Sequence, residues 1–113
     1  MKVHTGLGAG FPEIIYQRAL KVELSDNNIS FGREIEIPVF YKNIQVGARR
    51  VDFLVDDKVL VEIKATSELN DLHYAQIINY LEAFRLEVGL LINFGEKSLR
   101  FKRFINTIKQ ESA

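Results

Sequence analysis

Three side chains within VDFLVDDKVLVEIKA (51–65) have the types and the spacing for phosphate chemistry: Asp52, Glu62 and Lys64. Two carboxylates held side by side repel. A hard divalent cation relieves that repulsion, and magnesium (or manganese) commonly takes one or two carboxylates together with phosphate oxygens of a substrate. A lysine beside the acids can orient or help deprotonate an attacking water, or neutralise charge building on the phosphorane. The chemistry in view is metal-assisted phosphodiester hydrolysis, with Asp52 and Glu62 as the metal-holding acids.

Whether the three side chains meet depends on strands and their register. Arg49 to Val55 and Val59 to Lys64 are rich in Val and Leu and are joined by Asp56, Asp57 and Lys58, a length suited to a tight hairpin. Side chains alternate faces along a strand, so Glu62 and Lys64 share one face with Leu60, while Val59, Val61 and Ile63 share the other. With a three-residue loop, Val55 pairs with Val59 and Asp52 lands opposite Glu62; a loop of two or four residues changes the parity or the offset. The bland alternative is a cross-strand ion pair on a solvated sheet face, worth ~0.2–1 kcal/mol. The hairpin length, the apolar neighbours and the flanking helices favour a site.

The surrounding elements follow from pattern. GAGFPEIIYQRALKVELSDN (8–27) predicts a helix, with Pro12 at its first turn and Glu13 where the helix dipole favours an anion. Phe11, Ile15, Ala19 and Val22 fall along one side with Ile14 beside them, and Glu13, Tyr16 and Leu20 along another. REIEIPVFY (33–41) alternates charge with isoleucine up to Pro38. It then turns through Lys42 and Asn43 into Ile44 to Gly47, expected as the irregular second half of a first strand. A second helix is expected from about Leu69 to Phe84, then VGLLINF (88–94) as a central strand. SLRFKRFINTIK (98–109) is expected to alternate at first and to end as a short helix. The order is α-β-β-β-α-β-β, an α/β mixed sheet flanked by helices, and the 113 residues suit a single domain over positions 1–113.

Fifteen basic and fifteen acidic residues cancel, so no global field draws the chain to nucleic acid or to a membrane, and any polyanion site must be local. The lack of cysteine excludes disulfides, thiolate chemistry and Cys-based zinc sites, and suits a reducing cytoplasm. No leader and no apolar run of ~20 residues is seen, so a soluble, unexported protein is expected. Gly6, Gly8 and Gly10 form no phosphate loop, since no Gly-Lys-Ser/Thr follows, and no Ser-His-acid set suggests a nucleophilic triad.

Several blocks in order now resemble a known family. Gly10-x-x-Glu13-x-x-Tyr16, followed by Ala19-Leu20, is similar to the signature of the bacterial GxxExxY protein family. The resemblance continues through Arg50-Val51-Asp52-Phe53, Val61 to Ala65, His73 to Gln76 with Asn79-Tyr80-Leu81, and Gly89 to Gly95, covering nearly the whole chain. That family is similar to the PD-(D/E)XK nuclease superfamily, whose restriction-endonuclease-like core runs α-β-β-β-α-β. The resemblance implies that Asp52 and Glu62 bind metal, that Lys64 is the motif lysine and that Glu13 is a further acid at the site. Gln76-x-x-x-Tyr80 looks like the Gln-x-x-x-Tyr element of the RecB-like branch. Val51 stands where the superfamily's name has proline.

Other residues carry weaker signals. Glu13 also reads as an ordinary acid at a helix N-terminus, although its position on a partly apolar face near Tyr16 favours the site. Gln76 and Tyr80 share a helix face with His73 and can contact a phosphate or cap the core edge. His73 is expected to be structural, and His4 to lie in a loose terminus. Arg49, Arg50, Lys97, Arg100, Lys102 and Arg103 give local basic character of the kind that holds DNA phosphates, with Arg50 and Tyr80 taken as the substrate-binding pair. No sequence-reading DNA motif accompanies them. The expected function is magnesium-dependent cleavage of DNA with low intrinsic specificity, or with help from a dimer partner. The alternative is a non-catalytic nucleic-acid- or protein-binding module that keeps the nuclease fold.

Overall fold

Lys42 and Asn43 both adopt positive φ (+48° and +63°), and this two-residue reversal folds strand β1 (Phe31–Tyr41) back on β2 (Ile44–Val55). Such a turn matches the natural strand twist and needs the left-handed conformation that asparagine tolerates. Ile44 to Gly47 therefore begin the second strand instead of finishing the first, a correction to the sequence expectation. The irregularity of the first hairpin lies instead within β1, where the register slips between Val39 and Phe40. A second hairpin joins β2 to β3 (Val59–Lys64) through Asp56, Asp57 and Lys58, with Lys58 N–H donating to Val55 O (3.0 Å).

The computed structural model describes residues 2–96 and 99–106, apart from the side chains of Lys2 and His4. Helix α3 (Asp71–Phe84) follows β3 and returns the chain to β4 (Val88–Asn93), which pairs parallel to β3; β5 (Arg100–Ile105) then pairs antiparallel to β4. The sheet has the order β1-β2-β3-β4-β5. The short helix expected at the end of the chain lies outside the described residues, as does Lys97.

Helix α2 (Glu13–Asp26) packs on one face of the sheet and α3 on the other. Tyr16, Leu20, Leu24, Phe53, Val61, Ile63 and Phe94 form the cluster under α2. Ile37, Val51, Leu60, Ile77, Leu81 and Leu91 form the one under α3. Because β3 feeds both clusters, its sequence is an almost unbroken apolar run, and each aliphatic side chain fully buried contributes about 1.5–3 kcal/mol. On α2 the buried line is Tyr16, Leu20 and Leu24 together with Gln17; Val22, placed by periodicity on the other apolar line, is 56% exposed.

The N-terminal segment differs from expectation. Residues Lys2–Leu7 form a short helix, α1, with Val3 buried in the α2-side cluster. The Tyr16 hydroxyl donates to Gly8 O (2.6 Å) and accepts from Phe11 N–H (3.2 Å), and its ring stacks on Phe94 with centroids 4.6 Å apart. Tyr16, the last residue of the Gly-x-x-Glu-x-x-Tyr motif, thus anchors the Gly8–Phe11 bend onto the core. Gly10 at φ +105° is where that bend requires glycine. Among the described residues no helix is long and apolar enough to cross a membrane.

Candidate active site

The β2–β3 ladder begins as the loop length dictates, with Val55 opposite Val59, Leu54 opposite Leu60 and Phe53 opposite Val61. One step further, side chains replace the backbone ladder. Asp52 N–H donates to Glu62 Oε1 (3.0 Å), and Ile63 N–H donates to Asp52 Oδ2 (2.7 Å). The strands part here because β2 stays with β1 while β3 follows β4 as far as the Lys64–Asn93 pair. Backbone donors left behind by the divergence must find acceptors, and two carboxylates supply them. Burial changes sides at the same point: Phe53 belongs to the cluster under α2, whereas Val51, two residues earlier, belongs to the one under α3. Glu34 sits across from Asp52 with φ +54°, so the neighbouring strand is irregular there too.

Asp52 is also held from α2. Gln17 Nε2 donates to Asp52 Oδ1 (2.9 Å), and Arg33 of β1 donates from both Nε (3.0 Å) and Nη2 (2.8 Å) to Gln17 Oε1. Two guanidinium donors fix which end of the amide is oxygen, so its NH2 group must face Asp52. Gln17 is buried and was not singled out in the sequence, although it lies four residues after Glu13 on the same helix line. From the other side, Lys64 Nζ donates to Gln76 Oε1 (3.2 Å), tying the motif lysine to α3.

The electrostatics follow from burial. Glu62 is 6% exposed; desolvation, then the charge of Asp52, push its carboxyl up to about 8, while the Asp52 N–H and Lys64 pull the other way. Asp52 is raised by burial against the opposing pull of the Ile63 N–H, the Gln17 amide and Lys64. Glu13 is raised by burial, lowered by Lys64 and raised by Asp52, so it shares the field of the pair from the first turn of α2. The Tyr80 hydroxyl is raised by burial and by Glu62, with Arg49 and the Gln76 amide acting in the opposite direction. Glu13, Asp52, Glu62, Lys64, Gln76 and Tyr80 therefore act on one another across α2, the hairpin and α3.

Arg50 is different. It faces Glu36 across the β1–β2 ladder, and its neighbour Arg49 is the arginine that reaches the α3 side, lining a cleft with Gln76 and Tyr80. His73 closes the capping box of α3: its N–H donates to the Asn70 side chain and its Nδ1 accepts from Asn70 N–H (3.2 Å each). A second polar anchor, Asn93, lies fully buried at the end of β4. It accepts from Thr66 and Gly95 N–H and donates to Thr66 O and Glu96 Oε2, holding the loop that follows β3. A side chain at Gly95 would run into the Thr66 backbone.

The sequence of residues 1–104 matches the PD-(D/E)XK nuclease superfamily. The chain belongs to that superfamily. The match is to the superfamily as a whole, and the narrower GxxExxY resemblance rests on its motifs. No curated protein matches the sequence. In structure the chain is similar to SSO0001, known from a crystal structure, with TM-score 0.64 and 22% identity over 84% of this chain and 50% of that one. It is also similar to an alkaline exonuclease, LHK-Exo, from Laribacter hongkongensis, with TM-score 0.49 and 13% identity over 80% of this chain and 54% of that one. The chain spans about half the length of both, and the likeness to SSO0001 speaks to the fold.

PD-(D/E)XK nucleases generally use divalent metal ions. Here the donor chemistry fits such an ion in part. Two hard carboxylates oppose each other across a partly sheltered hairpin end, and burial followed by the charge of Asp52 raises Glu62, which a cation would reverse. Both Asp52 oxygens already accept hydrogen bonds, and among the described residues no three His, Cys, Asp or Glu side chains are gathered into a ready-made cage. The arrangement suits an ion that keeps much of its water, as magnesium does.

Proposed function

We propose that the protein is a divalent-metal-dependent phosphodiesterase acting on DNA, with magnesium or manganese as its cofactor. The observation that supports this most is the exchange of hydrogen bonds between Asp52 and the Glu62 strand, with Lys64 on the Glu62 face and held by Gln76. Asp52 and Glu62 would hold the ion, and Glu13 would join them through water from the first turn of α2. When bound, the ion lowers the pKa of a coordinated water and polarises a phosphoryl oxygen.

The chain's own residues do the rest. Gln17, itself oriented by Arg33, keeps the Asp52 carboxylate an acceptor in one orientation. The Lys64 ammonium faces the charge that builds on the phosphorane oxygens, and Gln76 holds it there so that little reorganisation is needed during reaction. Tyr80 is the substrate-side hydroxyl, and the phosphate-binding role expected of Arg50 passes to Arg49, which shares the cleft with it.

Plasmid nicking and linear-DNA degradation with Mg2+ or Mn2+ test the reading. Metal-dependent cleavage that disappears in both Asp52→Ala and Lys64→Ala is the expected result; cleavage that survives either substitution overturns it. A second reading, a non-catalytic nucleic-acid- or protein-binding module, is favoured by the prior engagement of both Asp52 oxygens. Calorimetry separates the two, since catalysis requires a Mn2+ isotherm that depends on the carboxylates, whereas a binding module has no need of one.

A further inference from the structure

Beside the carboxylates a cleft of about 890 Å³ opens between the β1–β2 hairpin and α3. Its size falls within the range of small-ligand sites and is far too small for a duplex. One wall is the hairpin, with Pro38, Phe40 and Arg49; the other is α3, with Leu72, Asn79 and Phe84. Gln76 and Tyr80 belong both to this cleft and to the field of Glu62 and Lys64, so the cleft is continuous with the candidate active site. From Leu72 to Phe84 the helical wall runs roughly 18 Å at the usual rise per residue.

The surface chemistry is mixed in a specific way. Phe40 is 60% exposed and Leu72 76% exposed, so the lips of the cleft are apolar and uncovered. Val39 and Phe40 are consecutive yet both line the cleft, and the register slips between them, as a bulge does when it re-aims a side chain. The amides of Gln76 and Asn79 lie among these apolar groups. Arg49 supplies a cation near the active-site end, while Glu82 lines the wall close to Phe84, where it disfavours a phosphate.

We infer that this cleft receives the unpaired bases of a single DNA strand flanking the phosphate at the active site, an inference that rests on the phosphodiesterase reading above. A nucleobase presents apolar faces and a polar edge, which suit an aromatic lip with amides beneath it. In a duplex the faces are stacked and the edges paired, so only an unpaired nucleotide can use both features. The backbone phosphates stay toward Arg49 and Lys64, and the bases turn toward Phe40, Asn79 and Phe84. The substrate class is thus single-stranded DNA or a frayed stretch of duplex.

Fluorescence anisotropy in EDTA, where no cleavage occurs, tests this with three probes of one length: a DNA strand, its blunt duplex, and an abasic strand with the same phosphates. The intact protein should bind the normal strand about tenfold or more tightly than either other probe. Phe40→Ala and Leu72→Ala, both at exposed positions, should reduce binding of the normal strand about tenfold and leave binding of the abasic strand nearly unchanged. Equal affinity for normal and abasic strands, or for strand and blunt duplex, overturns the inference; so does full strand affinity in both variants. Base-dependent binding without metal-dependent cleavage would support the cleft while removing the phosphodiesterase reading, and cleavage with base-independent binding would do the reverse.

Discussion

The two ends of the β2–β3 hairpin are built from the same backbone and obey different rules. Near the turn, Val55 and Val59, Leu54 and Leu60 pair by register, with Leu60 fully buried and the other three half-buried. Two steps away, at Asp52 and Glu62, the ladder is carried by carboxylate oxygens accepting N–H groups from the opposite strand. The turn end derives its stability from area removed from water, whereas the far end uses ionisable groups to satisfy donors exposed by strand divergence. A site assembled in this way is placed by the fold at the point where regular pairing fails, and its acids are oriented by backbone before any ligand arrives.

The contrast can be broken from either end. At the far end, Lys64→Met should reduce DNA cleavage roughly 100- to 1,000-fold, as loss of one charge-stabilising group does. Thermal unfolding should shift little, and a large loss of stability would reassign Lys64 to structure. At the turn end, Leu60→Ala removes a fully buried side chain and should cost roughly 2–5 kcal/mol in denaturant unfolding. Mn2+ affinity per folded molecule should be retained; a parallel loss of metal binding would mean the two ends are one cooperative unit.

A pH series sharpens the comparison further. Glu62 keeps its proton in the folded protein up to about 8, against an ordinary value of 4.5, so the folded state holds a proton across that window that the unfolded chain has released. Its contribution to stability is therefore complete below about pH 4.5, declines as pH rises, and is exhausted above about pH 8, a swing on the order of a few kcal/mol. Asp52 and Glu13, raised in the same sense, add to the slope. Glu62→Gln cannot ionise and should flatten most of the fall in melting temperature between pH 5 and pH 8; an unchanged slope would mean that Glu62 is ionised throughout. The smallest effect is expected at Gln17. Gln17→Leu leaves the Asp52 carboxylate without its amide donor and Arg33 without its acceptor, and should weaken Mn2+ binding about tenfold in calorimetry, with Arg33→Met following in the same direction.

Much of this was legible from local pattern. The three-residue loop sets the register from Val55–Val59 to Phe53–Val61, and one further step along it brings Asp52 beside Glu62, where side-chain hydrogen bonds take over from the ladder. The α3 face carrying Gln76 and Tyr80 followed from helical spacing in the same way. Periodicity was a poor guide on α2, where two apolar lines competed and the buried one included a glutamine.

Sequence alone determined the order of the elements from α2 onward and the hairpin register from Val55–Val59 to Phe53–Val61, since each depends on neighbours a few residues apart. Tertiary structure decided which polar groups serve the acids. Gln17 and Arg33 meet Asp52 only because α2 lies over β1 and β2, Arg49 rather than Arg50 faces α3, and Lys2–Leu7 forms a helix that buries Val3 against the core. A buried amide and a solvated one have the same signature in a sequence. What separates them is the cost of leaving a desolvated hydrogen-bonding group without a partner, and that cost is set by residues distant along the chain.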